Sequence, residues 1–190
     1  MVIRKGIDWG SPGALPTGAP IADSNQTLRA LLRDGVRVMG ITGGDLCRTL
    51  GGPGQLDMTF PVDLCHVSFD GVEDVFASHL VARRGWWRGP VVAAMNAQFI
   101  GSWDVAPRSH PNDGIVDTFE ATLSVADRIK ARRRLPAGTH VPHPRIVQRR
   151  LAAGELDFGA VLHVWIDGAT MGRHGSVHLT VEPDALTVVL

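Results

Sequence analysis

Carboxylates set beside glycines, and a run of bases with no acids near it, are the features of this chain that could do chemistry. Asn112-Asp113-Gly114 is a turn sequence whose glycine tolerates positive φ, and it leaves the Asp113 carboxylate beside exposed backbone carbonyls. Oxygen groups clustered in this way suit a hard cation, although the same three residues also make an ordinary turn. Thr42-Gly43-Gly44-Asp45 reads as a strand-to-helix corner, where outward N–H groups favour an anion; the alternative is that Gly43 and Gly44 only shape the bend. Asp167-Gly168 is a hairpin dipeptide carrying one more carboxylate. Arg128, Lys130, Arg132, Arg133 and Arg134 crowd one short helix, and no acidic residue follows through Arg150. Such a run attracts phosphate, on an anionic lipid surface or a phosphorylated small molecule; the competing reading is a solvated face. Trp86-Trp87, between Arg83-Arg84 and Arg88, suits a membrane interface or a packed sheet edge. His140 and His143 have no cysteine or acidic partner at zinc-site spacing, which leaves them to loop packing.

These residues need elements to hold them. Residues 1–6 read as a first strand and 8–20 as a loop rich in glycine and proline. Asp23-Ser24 can cap a helix with Leu28, Leu31 and Leu32 on one face, ended by Gly35. Residues 36–41 then form a buried strand and 45–50 a short helix, completing a β-α-β layer over 1–52. From 53 to 190 strands dominate. Residues 60–69 and 75–82 flank the hairpin signal Asp70-Gly71, and 91–95 is an apolar run continued by Phe99, Ile100 and Val105 past the bend at Gly101. Residues 161–166 and 176–181 alternate polar with apolar, and 182–185 is expected to turn the chain into a last strand, 186–190. Ser124 can cap a helix over 125–135 with Val125, Ile129 and Leu135 on its buried side. The fold class is therefore mainly β with an α/β remnant (α+β): an antiparallel β-sandwich preceded by a small β-α-β layer.

Composition narrows the function. The 190 residues balance 19 Lys and Arg against 19 Asp and Glu, with 44% hydrophobic residues, which is ample for a core. No apolar run approaches the ~20 residues of a membrane span, and the first residues lack the pattern of a signal peptide, so a cytoplasmic protein is expected. Cys47 and Cys65 are too few for a disulfide framework and lack zinc-site spacing, so they read as reduced, half-buried thiols. The bases are not interleaved with aromatic residues and no helix-turn-helix spacing occurs, which excludes nucleic acid as the expected partner. Exposed sheet edges would permit a homodimer.

The order of these segments resembles one family. Asn96, followed by Ala106-Pro107 and Pro111-Asn112-Asp113-Gly114-Ile115-Val116-Asp117, is similar to the Asn-bearing strand and "APxAxPxDGxLD" of bacterial diacylglycerol kinases and the related YegS-type lipid kinases. Residues 42–51, TGGDLCRTLG, resemble their "GTGNDFARxLG", with Gly44 in place of Asn. Gly138-Thr139-His140 with His143-Pro144 resembles "GxH…HP", and Asp167-Gly168 resembles "DGE". The resemblance covers residues 36–190. It implies that Asp167 is the general base taking a hydroxyl proton, and that Asp113 with the Ile115 carbonyl holds a structural Mg²⁺. It further implies that Thr42, Gly43, Gly44, Asp45, Arg48 and Asn96 line a ligand site, that ATP and Mg²⁺ are cofactors, and that the protein works peripherally at the inner membrane face.

The departures from that pattern matter equally. The family's glycine-rich "GGDGT" phosphate loop corresponds here to residues 21–28, IADSNQTL, which contain no glycine and would deny a polyphosphate its close backbone approach. Ala169 replaces the glutamate of "DGE", and only some forty residues precede the TGGD segment, too few for a full nucleotide-binding half. Two functional classes follow. One is a degenerate, non-catalytic protein of this family binding a phosphorylated lipid or a nucleotide-like ligand. The other is an active ATP- and Mg²⁺-dependent lipid kinase acting on diacylglycerol or a related lipid alcohol, kept in view because Asp45, Asp113 and Asp167 stand at the family's positions.

Overall fold

A computed structural model describes residues 9–85 and 88–190. The strand expected at 1–6 and the Trp86-Trp87 pair lie outside the described residues. The N-terminal layer is a parallel pair, β2 (Ile21–Ala22) and β3 (Val38–Ile41), joined by helix α1 (Asn25–Arg33) and followed by the short helix α2 (Gly44–Thr49). Ser24 starts α1 as expected: its Oγ accepts the Thr27 N–H at 3.2 Å. Leu28 and Leu32, one turn apart, bury the inner face, and Gly35 ends the helix at φ +80°. The first strand of the β-α-β unit is thus the two-residue β2, immediately before the cap. A further pair, β1 (Ser11–Pro12), lies antiparallel to the start of β4.

The remainder is one continuous sheet in the order β1-β4-β13-β12-β6-β7-β10-β11. Its strands are β4 (Met58–Phe69), β5 (Val72–Phe76), β6 (His79–Arg83), β7 (Val91–Met95), β10 (Val116–Ala121), β11 (Ile146–Leu151), β12 (Ala153–Ile166) and β13 (Ala169–Val189). Bulges between Asp157 and Leu162, and between Val164 and Trp165, bend β12. The sheet thereby folds sandwich-like over a common core, in which Cys65 and Phe76 from one end cluster with Val92, Ala94 and Val116 from the other. Asp70-Gly71 and Asp167-Gly168 all take positive φ, as two-residue hairpin turns require. Cys47 and Cys65 are free thiols and fully buried rather than half-buried.

Strand β13 is the spine. Its first half pairs with β12, its second half, from His178 to Val189, runs along β4, and its last residues pair in parallel with β3, Thr187 opposite Val38 and Val189 opposite Gly40. The two regions expected from the sequence are therefore stitched through one strand. Residues 182–185 do not reverse the chain: Asp184 at φ 57° makes a bulge, and β13 continues on the same partner. The expected strand 75–82 divides at Ala77-Ser78, because the backbone N–H groups there are drawn to a side chain instead of a neighbouring strand.

Two smaller elements lie outside the main core. The hairpin β8 (Phe99–Ile100) and β9 (Trp103–Asp104) turns at Gly101, φ +56°. Helix α3 (Val125–Arg134), capped by Ser124 and continued by a 3-10 turn at Leu135–Ala137, crosses between β10 and β11. It is rotated from the expected orientation. Val125 and Ile129 are 48% and 40% exposed, whereas Arg128 is the buried residue. The Arg128 guanidinium donates to the loop carbonyls of Leu123 and Gly89 while the residue itself is buried.

Candidate ligand site

The strand-to-helix corner at Thr42–Asp45 is closed by the chain itself. Asn25 Nδ2 donates to Asp45 Oδ2 at 2.6 Å, and Asn25 Oδ1 accepts the Asp45 N–H at 2.7 Å. Gly43 lies so close to β2 that a Cβ there would stand 2.1 Å from the Asp23 carbonyl oxygen, and one on Gly44 would stand 2.6 Å from Asn25 Oδ1. Thr42 spends its N–H on the Ala22 carbonyl. Asp45 is buried, its Oδ1 accepts the Gly101 N–H at 2.7 Å, and Arg48 Nη1 donates to the Gly101 carbonyl at 2.9 Å while lying over the Phe99 ring. The N–H group that a phosphate would meet is thus already bonded, and the residues present do not fit a nucleotide polyphosphate at this corner.

Behind the corner, Asp45 Oδ2 lies 3.5 Å from His79 Nδ1, and His79 leads to Asp167. Asp167 is 0% exposed: its Oδ1 accepts the N–H groups of Ser78 and His79, and its Oδ2 accepts that of Ala77. Burial pushes its carboxyl up, opposed by the nearby His79 and these three N–H groups. This is the side chain that divides β5 from β6. Both oxygens are occupied and no surface of the residue is accessible, so the geometry gives Asp167 a structural duty at the break. Asn96, also fully buried, donates through Nδ2 to the carbonyls of Asp63 and Ala77, and is likewise a tie between strands and not a lining residue.

Asp113 lies in a separate acidic knot. Asp63 of β4 is buried and accepts the Asp184 N–H through Oδ1 and the Gly114 N–H through Oδ2, at 3.0 and 2.6 Å. Asp113 Oδ2 is bonded to Arg150 Nη2 at 2.5 Å, and Arg150 Nε lies 3.4 Å from Asp117. Burial pushes Asp113 up to about 6, with Arg150 pulling the other way. Its Oδ1 is buried without a hydrogen-bond partner. That orphaned oxygen is the position at which a cation fits; no group of three or more His, Cys, Asp or Glu suited to a metal occurs among the described residues.

A predominantly apolar cavity lies elsewhere again. Between the outer face of β6, β7 and β10 and the inner face of α3 is a cavity of about 180 Å³. Val81, Ala93 and Phe119 form its floor, Ile100 and Trp103 of the β8–β9 hairpin one wall, and Ala131 and Leu135 its roof. Among the described residues lining it, only Arg128, Arg132 and His140 are charged or titratable. The Arg132 guanidinium lies 5.3 Å from the centre of the Trp103 ring, at the rim. Sequence reading singled out Arg128 and Arg132 for their charge but missed the cavity, Asn25, Asp63 and His79. A carboxylate within the apolar run 60–69 and a histidine within 75–82 were the available signals for the last two.

This geometry defines an antiparallel, sandwich-like β domain with a reduced α/β layer docked on its last strand. Residues 58–190 match the family described as the YegS C-terminal NAD kinase beta sandwich-like domain, and the chain belongs to that family. No curated protein matches the chain in sequence. Among solved structures, a candidate diacylglycerol kinase from Bacillus anthracis str. Sterne superposes with a TM-score of 0.68 at 12% identity, over 89% of this chain and 77% of that one. A diacylglycerol kinase structure from the same organism superposes with a TM-score of 0.62 at 15% identity, over 89% and 75%. At these identities the likeness is one of fold. Among the described residues no helix is long and apolar enough to cross a membrane.

Proposed function

We propose that this protein is a non-catalytic member of the lipid-kinase-like family that binds a lipid bearing a phosphate or other anionic group. The observation that carries the reading is the apolar cavity beneath α3. At about 180 Å³ it exceeds the ~150 Å³ apolar cavity that takes up benzene, so it accommodates a run of methylenes. Each buried methylene contributes about 0.8 kcal/mol. Arg132 at the rim supplies a cation for the head group. Catalysis is argued against by the Asn25 side chain on the Asp45 N–H and by the saturated Asp167 carboxylate, since phosphoryl transfer needs a phosphate cradle and an accessible base together. Mg²⁺, where bound, would be held by Asp113 Oδ1 and the Ile115 carbonyl and would neutralise the acidic knot.

Titration with a fluorescent fatty acid and with phosphatidic acid tests this reading. Saturable uptake is expected, abolished by Ala131→Phe, which fills the cavity from its roof. Uptake unaffected by that change, or ATP-dependent phosphorylation of diacylglycerol that disappears with Asp167→Asn, would overturn it.

A further inference from the structure

The orientation of α3 leaves an unusual outer face. Val125, Ile129 and Arg133 follow one another at intervals of four residues and fall within about 80° of the helix circumference, a single stripe. All three are exposed, as are Ala126 and Lys130 beside them and Arg134 at the helix end. Inside the helix the pattern is reversed, with buried Arg128 and the cavity-lining Ala131 and Leu135. A helix that turns two β-branched aliphatic side chains to solvent and a guanidinium to the interior is not oriented by core burial alone.

We infer that this outer stripe of α3 docks on an anionic bilayer, with Val125 and Ile129 entering the interface and Arg133 and Arg134 pairing with lipid phosphates. Charge complementarity selects the occupant. From Arg128 to Arg150 there is no acidic residue, and the one carboxylate on the helix, Asp127, is engaged by the Ser124 hydroxyl at 2.7 Å with Lys130 at 3.6 Å. Neither half of the stripe suffices alone. Stable association with a membrane surface takes two signals, an apolar insertion and a basic patch, and this helix carries both within two turns. The placement also fits the proposed lipid cavity, on which the inference partly rests: the helix that meets the bilayer is the roof under which a chain would slide.

Sedimentation with phosphatidylcholine vesicles, with and without phosphatidylglycerol, tests the docking face on the whole chain. Wild-type protein is expected to bind only the anionic vesicles. Arg133→Gln with Arg134→Gln should weaken partition roughly 25-fold at low salt, about fivefold per base, and much less at high salt. Val125→Gln with Ile129→Gln should weaken it at every salt concentration. All four positions are exposed, so melting temperatures should stay at the wild-type value. Ala131→Phe separates the two proposals: it should leave vesicle binding intact while abolishing uptake of the fluorescent fatty acid. Equal binding to neutral vesicles, or wild-type binding by either double variant, would overturn the docking face even if cavity uptake is observed.

Discussion

Asn25 and Asp45 hold each other by a reciprocal pair of hydrogen bonds: the Asn25 amide donates to the Asp45 carboxylate, and its carbonyl accepts the Asp45 N–H. They are twenty residues apart, on the first turns of two different helices. The pair replaces, with a side chain, the kind of contact that a bound anion makes to a helix start.

Asn25→Ala should therefore destabilise the protein by about 2 kcal/mol, since it removes a charge-assisted bond and leaves a buried carboxylate partly unsatisfied. Urea unfolding measures this. If phosphate or ATP restores the lost stability in Asn25→Ala but does nothing for wild-type protein, the side chain is a plug in an otherwise competent corner. If neither ligand restores it, the corner has lost anion binding altogether.

Gly43→Ala should cost about 1–3 kcal/mol, the usual penalty for overpacking, because the new Cβ meets the Asp23 backbone and not a flexible side chain. Gly43 is extended at φ −164°, so the effect reports crowding without backbone strain. A neutral substitution, read from the thermal midpoint, would mean that β2 does not sit against this corner.

Asp167→Ala should be among the most damaging single changes, at about 3 kcal/mol or more, since it strands three buried N–H donors at the break between β5 and β6. Asp167→Asn should also destabilise, because an amide presents a donor where only acceptors serve. Intact stability in both variants would contradict the structural duty assigned to this residue.

Asp113 gives a pH dependence of definite sign. Its folded pKa, about 6, lies above the ordinary carboxylate value, so the folded protein holds a proton there that the unfolded chain has released. Its contribution must fall as pH rises from about 4 to 6, and Asp113→Asn should remove that slope and raise stability at neutral pH. Mg²⁺ at the orphaned Oδ1 would act in the opposite direction, favouring the charged form. Thermal melts of wild type and Asp113→Asn across this range, with and without Mg²⁺, separate the two. An unchanged slope in the variant would exclude Asp113 as its source.

The architecture was legible wherever a local rule acts alone. The Ser24 cap, the Gly35 stop and the Asp-Gly hairpins at 70 and 167 depend only on neighbouring residues, and they form as the sequence implies. Legibility ended where a distant side chain competes with a local pattern. Residues 75–82 read as one strand because nothing within them announces that Asp167, far along the chain, takes three of their N–H groups. Helix 125–135 read with its aliphatic side inward because hydrophobic periodicity carries no information about the carbonyls of Leu123 and Gly89 waiting for Arg128. In the candidate site, residue types mark corners and turns, but whether a carboxylate is open or already satisfied depends on partners that the sequence does not place beside it.

The pairing of β3 with the last residues of β13 bears on how the molecule is made. Val38 and Thr187 are neighbours in the sheet but far apart in sequence, so a long loop must close to join them. A nascent chain emerging residue by residue would pack α1 and β3 against Leu46, Val62, Leu64 and Ala77 but lack the part of their core supplied by Leu186, Val188 and Leu190 until residues 186–190 have been synthesised. Leu28, Leu32 and Met39 would be only partly covered meanwhile, which makes this N-terminal layer a segment in need of chaperone cover and late to acquire full protection from proteases.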